Sequence, residues 1–251
     1  MRAFTIAQRP ELISEFVALD KRSWPEFMHH GDIEIADDVF YSDFGEYQIA
    51  IVNESEQLIA AGQTLPVHWS GINEELPETM NAVMQDAIAY REATAATSTP
   101  VTPQMNYLCA FAAIVDESVR GQGMSRTILL EMLELARRNG LLGLLAPVRP
   151  SFKSKHPTLS IEEYADRRRE DGQLYDPWLR THERLGAKRL GLAPRAFSVI
   201  ASVADWQRWT GITFEHTGAH VAPGAIVPVE INLENGTGTY VEPSVWYLHR
   251  L

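Results

Sequence analysis

Residues 106–143 read as a buried strand, a glycine-containing turn and an amphipathic helix: NYLCAFAAIVDESVRGQGMSRTILLEMLELARRNGLLG. The apolar run Tyr107–Val115 is too continuous for a strand with one wet face, so both of its faces are covered. Met124, Ile128, Met132 and Ala136 then recur at every fourth position. Leu129, Leu133 and Leu135 widen the stripe, and the pattern predicts a helix over 125–139. Arg137 and Arg138 suit its C-terminal end, and Asn139-Gly140 stops it. Between strand and helix lies Arg120-Gly121-Gln122-Gly123-Met124-Ser125. Small residues there let backbone N–H groups turn outward at a helix N-terminus, a place that favours a phosphate-bearing ligand.

The rest of the chain supplies the partners this unit needs. Residues 2–9 read as a strand, and 11–24 as a helix carrying Leu12, Phe16 and Leu19 on one side before Pro25. Residues 27–44 are rich in acids and aromatics, among them His29, His30, Asp32, Glu34, Asp37, Asp38, Tyr41 and Asp43. The spacing of these groups matches no metal motif, and a solvated loop–helix is the simpler account. Residues 47–52 and 58–69 alternate around a polar turn and predict a hairpin. Residues 71–91 predict a helix with Pro77 in its first turn, followed by a proline-punctuated loop. Residues 141–148 form a short strand parallel to the buried one, since a helix connects them. A capping box at Ser160–Glu163 and an Asp176-Pro177 start predict two further helices. Residues 197–203, 225–233 and 238–249 read as strands, the last two joined at Glu234-Asn235-Gly236.

Composition excludes more than it selects. The 251 residues carry 22 Lys plus Arg against 33 Asp plus Glu, a formal charge of −11 that disfavours nucleic-acid binding. No apolar run is long enough to span a bilayer and the N-terminus has no signal-peptide pattern, so a cytoplasmic location without a membrane partner is expected. The single cysteine, Cys109, lies inside the buried strand and builds neither a disulfide nor a metal site.

The run Val115-Asp116-Glu117-Ser118-Val119-Arg120-Gly121-Gln122-Gly123-Met124-Ser125 resembles the coenzyme A pyrophosphate motif of the GCN5-related N-acetyltransferases (GNAT). That motif passes from a strand valine through Arg/Gln-x-x-Gly-x-Gly/Ala into a long helix. Arg120 and Gly123 match it, Ser125 stands where Gly or Ala is usual, and Glu117 where proline is common. A second match departs further. The family's last core helix ends in Tyr-x-x-x-Gly-Phe, and here the place reads His182-Glu183-Arg184-Leu185-Gly186-Ala187.

The resemblance implies a GNAT-like acyl-CoA N-acyltransferase fold: one α/β domain over 1–251, with a mixed, mostly antiparallel sheet, two central parallel strands that splay apart, and flanking helices. Segments near 71–105 and 151–175 then look like insertions, and 205–251 like an extra C-terminal β-hairpin region. The implied co-substrate is acetyl-CoA, its phosphates held at Arg120, Gly121, Gln122, Gly123, Met124, Ser125 and Arg126. Its pantetheine arm would pair with Ala113, Ile114 and Val115. Residues 27–44 would wall the acceptor pocket, and Lys153 or Lys155 could reach the adenosine 3′-phosphate. The acceptor is an amine of a small molecule or peptide, no metal is needed, and a homodimer is compatible. His182 takes the family tyrosine's place as the acid that protonates the departing thiolate, a role that needs the imidazolium form. For the base, Glu117, Asp116, His68, Asp43 and Asp176 stay open, and His156 is a further ionisable group near the cofactor. Two other readings remain: a coenzyme A sensor without turnover, and an acyltransferase of this fold that uses a carrier protein or an alcohol.

Overall fold

The computed structural model describes residues 1–32 and 39–251, so Glu34, Asp37 and Asp38 lie outside the described residues. Strands β1 (Arg2–Thr5), β2 (Ile49–Val52), β3 (Leu58–Val67) and β4 (Tyr107–Val115) run antiparallel in sequence order. β4 then pairs in parallel with β5 (Gly143–Val148). Beyond β5 the order becomes β9 (Thr237–Arg250), β8 (Val229–Asn232) and β7 (Gly218–His220), and β6 (Lys188–Ser202) also pairs with β9. This is the expected mixed sheet with one parallel pair at its centre. No helix among the described residues is long and apolar enough to cross a membrane.

The helices are α1 (Ile13–Ser23), α2 (Met80–Ala96), α3 (Met124–Arg138), α4 (Ile161–Ala165), α5 (Pro177–Arg184) and α6 (Val203–Thr210). β4 is buried on both faces, as its sequence requires. Leu108 clusters with Ile128, Leu129 and Met132 of α3, whereas Cys109 clusters with Val67, Leu145 and Trp246 on the opposite face. Met124, Ile128, Leu129, Met132 and Leu135 are all buried, at about 1.5–3 kcal/mol each. That burial far exceeds any helix propensity, so docking on the sheet holds α3 in place.

Several boundaries differ from the sequence reading. α2 starts at Met80 because the Thr79 hydroxyl caps the N–H of Ala82, so Pro77 lies outside the helix. Only Val229–Asn232 of the alternating stretch 225–233 pairs as a strand; Ala225 and Ile226 are buried, and the Ile226 N–H bonds the Tyr240 hydroxyl. The C-terminal hairpin is not peripheral. β9 has β6 along one edge and, along the other, β8 at its start and β5 at its end, with register from Gly143↔Arg250 to Val148↔Val245 against β5. Tyr240, Val245, Trp246, Tyr247 and Leu248 are accordingly core residues.

Candidate functional site

The parallel pair is short. β4 and β5 are in register only at Leu108↔Leu144 and Cys109↔Leu145, after which the two strands part. β5 then follows β9, while β4 follows β3 through a bulge in which Phe111 is the extra residue between the pairs Ala110↔Thr64 and Ala112↔Gln63. A bulge bends its strand and re-aims its side chains. Among the described residues the edge of β4 beyond Cys109 therefore has no strand partner on the β5 side, and apart from Val115 O, which Arg120 bonds, its backbone groups there are open to a ligand.

Two cavities meet at this opening. One, about 610 Å³, is a groove along β4 that includes Ala113, Ile114, Val115, Arg120, Ser125, Trp178 and His182. The other, about 770 Å³, lies toward α1 and the 26–31 segment and includes Tyr41, Gln63 and Met80. Trp24, Phe111, Ala112, Pro147 and Arg149 line both, so the cavities communicate through the splay.

At the end of the groove the predicted turn forms. Gly121 and Gly123 have φ of +79° and +83°, and a Cβ on either would meet nothing within 4 Å. Gly123 is the N-cap of α3. Two of the expected cradle donors are already used: the Gln122 N–H bonds Val119 O and the Arg126 N–H bonds Gly123 O. Among the described residues the N–H groups of Gly121, Gly123, Met124 and Ser125 make no such bond outside the helix, so these four are the donors the turn leaves free. Outward N–H groups at a helix N-terminus suit an anion. The Arg120 side chain bonds Val115 O and Glu117, beside the groove.

The structure removes most of the candidate bases. Asp176 is buried and caps α5, accepting from Trp178 N, Leu179 N, Phe152 N and the Tyr164 hydroxyl. Bonds from Ser118 and Arg22 hold the Asp116 carboxyl down at about 2. Glu117, His68, Asp43 and His156 line neither cavity. Burial pushes the Cys109 thiol above its usual range, so it supplies no thiolate. Lys153 is not a phosphate ligand: it is fully buried, and its ammonium donates to His156 O, Pro157 O and Ile226 O. Lys155 stacks on Phe152 at the groove. Among the described residues no cluster of three or more His, Cys, Asp or Glu could hold a metal.

His182 does reach the groove, in surroundings that oppose the charged form expected of it. Its Nδ1 lies 2.8 Å from His249 Nε2, and its ring packs on Trp178 and Tyr247. Burial first, and His249 second, lowers its pKa; burial also lowers that of His249. The helix C-terminus does not outweigh this desolvation, so the imidazolium is disfavoured. The other two nitrogens, His182 Nε2 and His249 Nδ1, are buried and have no protein partner among the described residues. A pH consequence follows. Below about pH 6.5 the unfolded chain binds protons at both positions before the folded protein does, so stability falls as pH falls. Urea midpoints measured from pH 7.5 to 5 should decline, and the decline should be shallower in His182→Phe.

No family model matches the chain. Arginine N-acetyltransferase avaD of Aspergillus versicolor is 28% identical over 256 aligned positions, covering 90% of this chain and 84% of that protein. The loading GNATL domain of CurA from Lyngbya majuscula superposes with a TM-score of 0.60 at 16% identity, over 99% of this chain and 96% of that one. The chain has the GNAT fold. The GphF GNAT-like decarboxylase in complex with isobutyryl-CoA gives a TM-score of 0.58 at 16% identity, over 100% of this chain and 99% of that one. At such identity the two structures establish the GNAT fold alone. Within that fold, β9 occupies the place beside β5, and the larger cavity gains walls that the motif does not reveal. Those walls come from 26–31, Tyr41, Met80 of the 71–105 segment, and Glu242 and Ser244 of β9. The 151–175 segment contributes Ser151 and Phe152 to the groove instead.

Proposed function

We propose that this protein transfers an acetyl or other short acyl group from acyl-coenzyme A to the amine of a small molecule. The observation that carries the reading is the pair of cavities meeting where β4 and β5 part, one ending in the N–H cradle at α3. The phosphates of the co-substrate sit at Gly121, Gly123, Met124 and Ser125, and the pantetheine arm follows the open edge of β4 at Ala113, Ile114 and Val115. The thioester then lies at the opening near Phe111 and Ala112, and the amine arrives through the second cavity. The amine nitrogen bonds the carbonyl carbon, the C–S bond breaks, and sulfur leaves with the electron pair. One proton of the ammonium goes to solvent before attack, and a second ends on sulfur.

His182 assists as a neutral group. With the His249 Nε2–H donating to His182 Nδ1, the remaining proton of His182 sits on Nε2 and can hydrogen-bond the developing thiolate. A thiol pKa of about 8.5 makes sulfur a tolerable leaving group, so the gain is modest, roughly 10²-fold or less. His182→Phe should slow single-turnover chemistry by up to that factor with the coenzyme A Kd unchanged. His182→Tyr, which keeps a donor, should recover part of the rate. A raised coenzyme A Kd instead would make His182 a binding residue.

The reading itself is tested by calorimetry with coenzyme A and by turnover of acetyl-CoA with an amine panel headed by L-arginine, the acceptor in the avaD relative's name. Binding should raise Tm by mass action. Millimolar coenzyme A giving neither heat nor a Tm shift would sink it. Inert free thioesters with reactive carrier-linked ones would move it to a carrier-dependent acyltransferase.

A further inference from the structure

We propose that Arg149 binds the α-carboxylate of an amino-acid acceptor and so directs acylation to the α-amine; this rests on the acyl-transfer reading above and names its substrate class. Arg149 follows β5 directly and lines both cavities at their junction. Its Nε–H donates to Glu242 Oε1 at 2.8 Å and its Nη2 to Gly224 O at 2.7 Å. The Tyr240 hydroxyl holds the other Glu242 oxygen, and the Trp24 ring lies 5.8 Å from the guanidinium. Tyr240 also reaches the guanidinium itself. The guanidinium is therefore fixed from behind while part of its donor edge faces the space an acceptor must enter.

A plain structural ion pair accounts for less of this. β5 and β9 are already joined by continuous register from Gly143 to Val148, so they need no added tie. The pair is also lopsided: the Glu242 side chain is 3% exposed and that of Arg149 20%. Glu242, bonded by both Arg149 and Tyr240, serves to hold the cation. A planar guanidinium held this way suits a carboxylate, and a charge-assisted contact discriminates by roughly 10- to 100-fold. In an α-amino acid, carboxylate and amine share one carbon, so anchoring the first at the junction brings the second to the thioester. The side chain then occupies the cavity of about 770 Å³, whose walls carry Asp20, Glu26, His29 and His30. The α-nitrogen–carbonyl bond forms, the C–S bond breaks, and the products are the Nα-acyl amino acid, free thiol and one proton.

Coenzyme A-loaded protein is titrated calorimetrically with L-arginine and agmatine, L-lysine and cadaverine, and L-leucine and 3-methylbutylamine, and turnover is followed with acetyl-CoA. In at least one pair the amino acid should bind at least 10-fold tighter than its decarboxylated partner, and the acyl group should be found on the α-nitrogen by mass spectrometry. Arg149→Gln should close that gap with the coenzyme A Kd unchanged. Should it not fold, Arg149→Lys, which keeps the charge but not the planar fork, should reduce the gap. No gap in any wild-type pair overturns the proposal even if amines are acylated, and so does a gap that survives the Arg149 substitutions. An Arg149-dependent gap in binding with no acyl transfer at all would uphold the carboxylate site and remove the acyl-transfer reading.

Discussion

Gly123→Asp should abolish coenzyme A binding and leave the fold in place. Gly123 caps α3 with φ of +83°, and a Cβ there meets nothing within 4 Å, so the side chain has room. The left-handed conformation costs about 1–2 kcal/mol for an ordinary residue, and less for Asp, which tolerates it. That is affordable for a helix whose buried face carries several times as much. The carboxylate, by contrast, would stand among the N–H groups of Gly121, Met124 and Ser125, where the pyrophosphate is expected. Two like charges about 4 Å apart cost roughly 1–4 kcal/mol, and a pyrophosphate carries more than one. Calorimetry should show the Kd rising at least about 10²-fold. Gly123→Ala, with the backbone strain but not the charge, separates the two effects. An Asp variant that folds and binds normally would put the phosphate site elsewhere.

Lys153→Met should produce the largest loss of stability short of the central core. The side chain is completely buried, and its ammonium joins three carbonyls: His156 and Pro157 in its own turn, and Ile226 across the chain. Burial lowers its pKa to about 8, yet three acceptors at 2.7–3.3 Å keep a strong reason for the charged form. Methionine fills the volume but leaves the Pro157 and Ile226 carbonyls without a donor, while His156 O keeps the Leu159 N–H; each buried group left unsatisfied costs about 1–3 kcal/mol. With some rehydration, a net loss of about 2–4 kcal/mol should lower Tm by on the order of 10 °C. The coenzyme A Kd should hold steady, since Lys153 does not reach the groove. A weakened Kd with unchanged Tm would return Lys153 to the phosphate role that its position in the sequence suggested.

The sequence by itself determined the elements whose signals are local. An unbroken apolar run needs cover on both faces, and so residues 107–115 became β4. A stripe every fourth residue became α3, and glycines between them became a turn with positive φ. The same logic placed the capping box at Ser160 and the Asp176 cap. These features follow from chain geometry over ten or fifteen residues, within reach of any pattern. What only the tertiary structure decided are contacts between distant segments. Nothing in residues 237–250 says that they enter the sheet beside β5; strand order depends on which edges are free once the rest has packed. Nor does the sequence show that β4 bulges at Phe111, since a register slip belongs to two strands together. His182 and His249 are 67 residues apart, Arg149 and Glu242 93. Their burial sets their charge, and burial is a property of the closed fold: a local reading gave His182 a helix end that favours the cation, and desolvation by a strand from the far end of the chain reversed it.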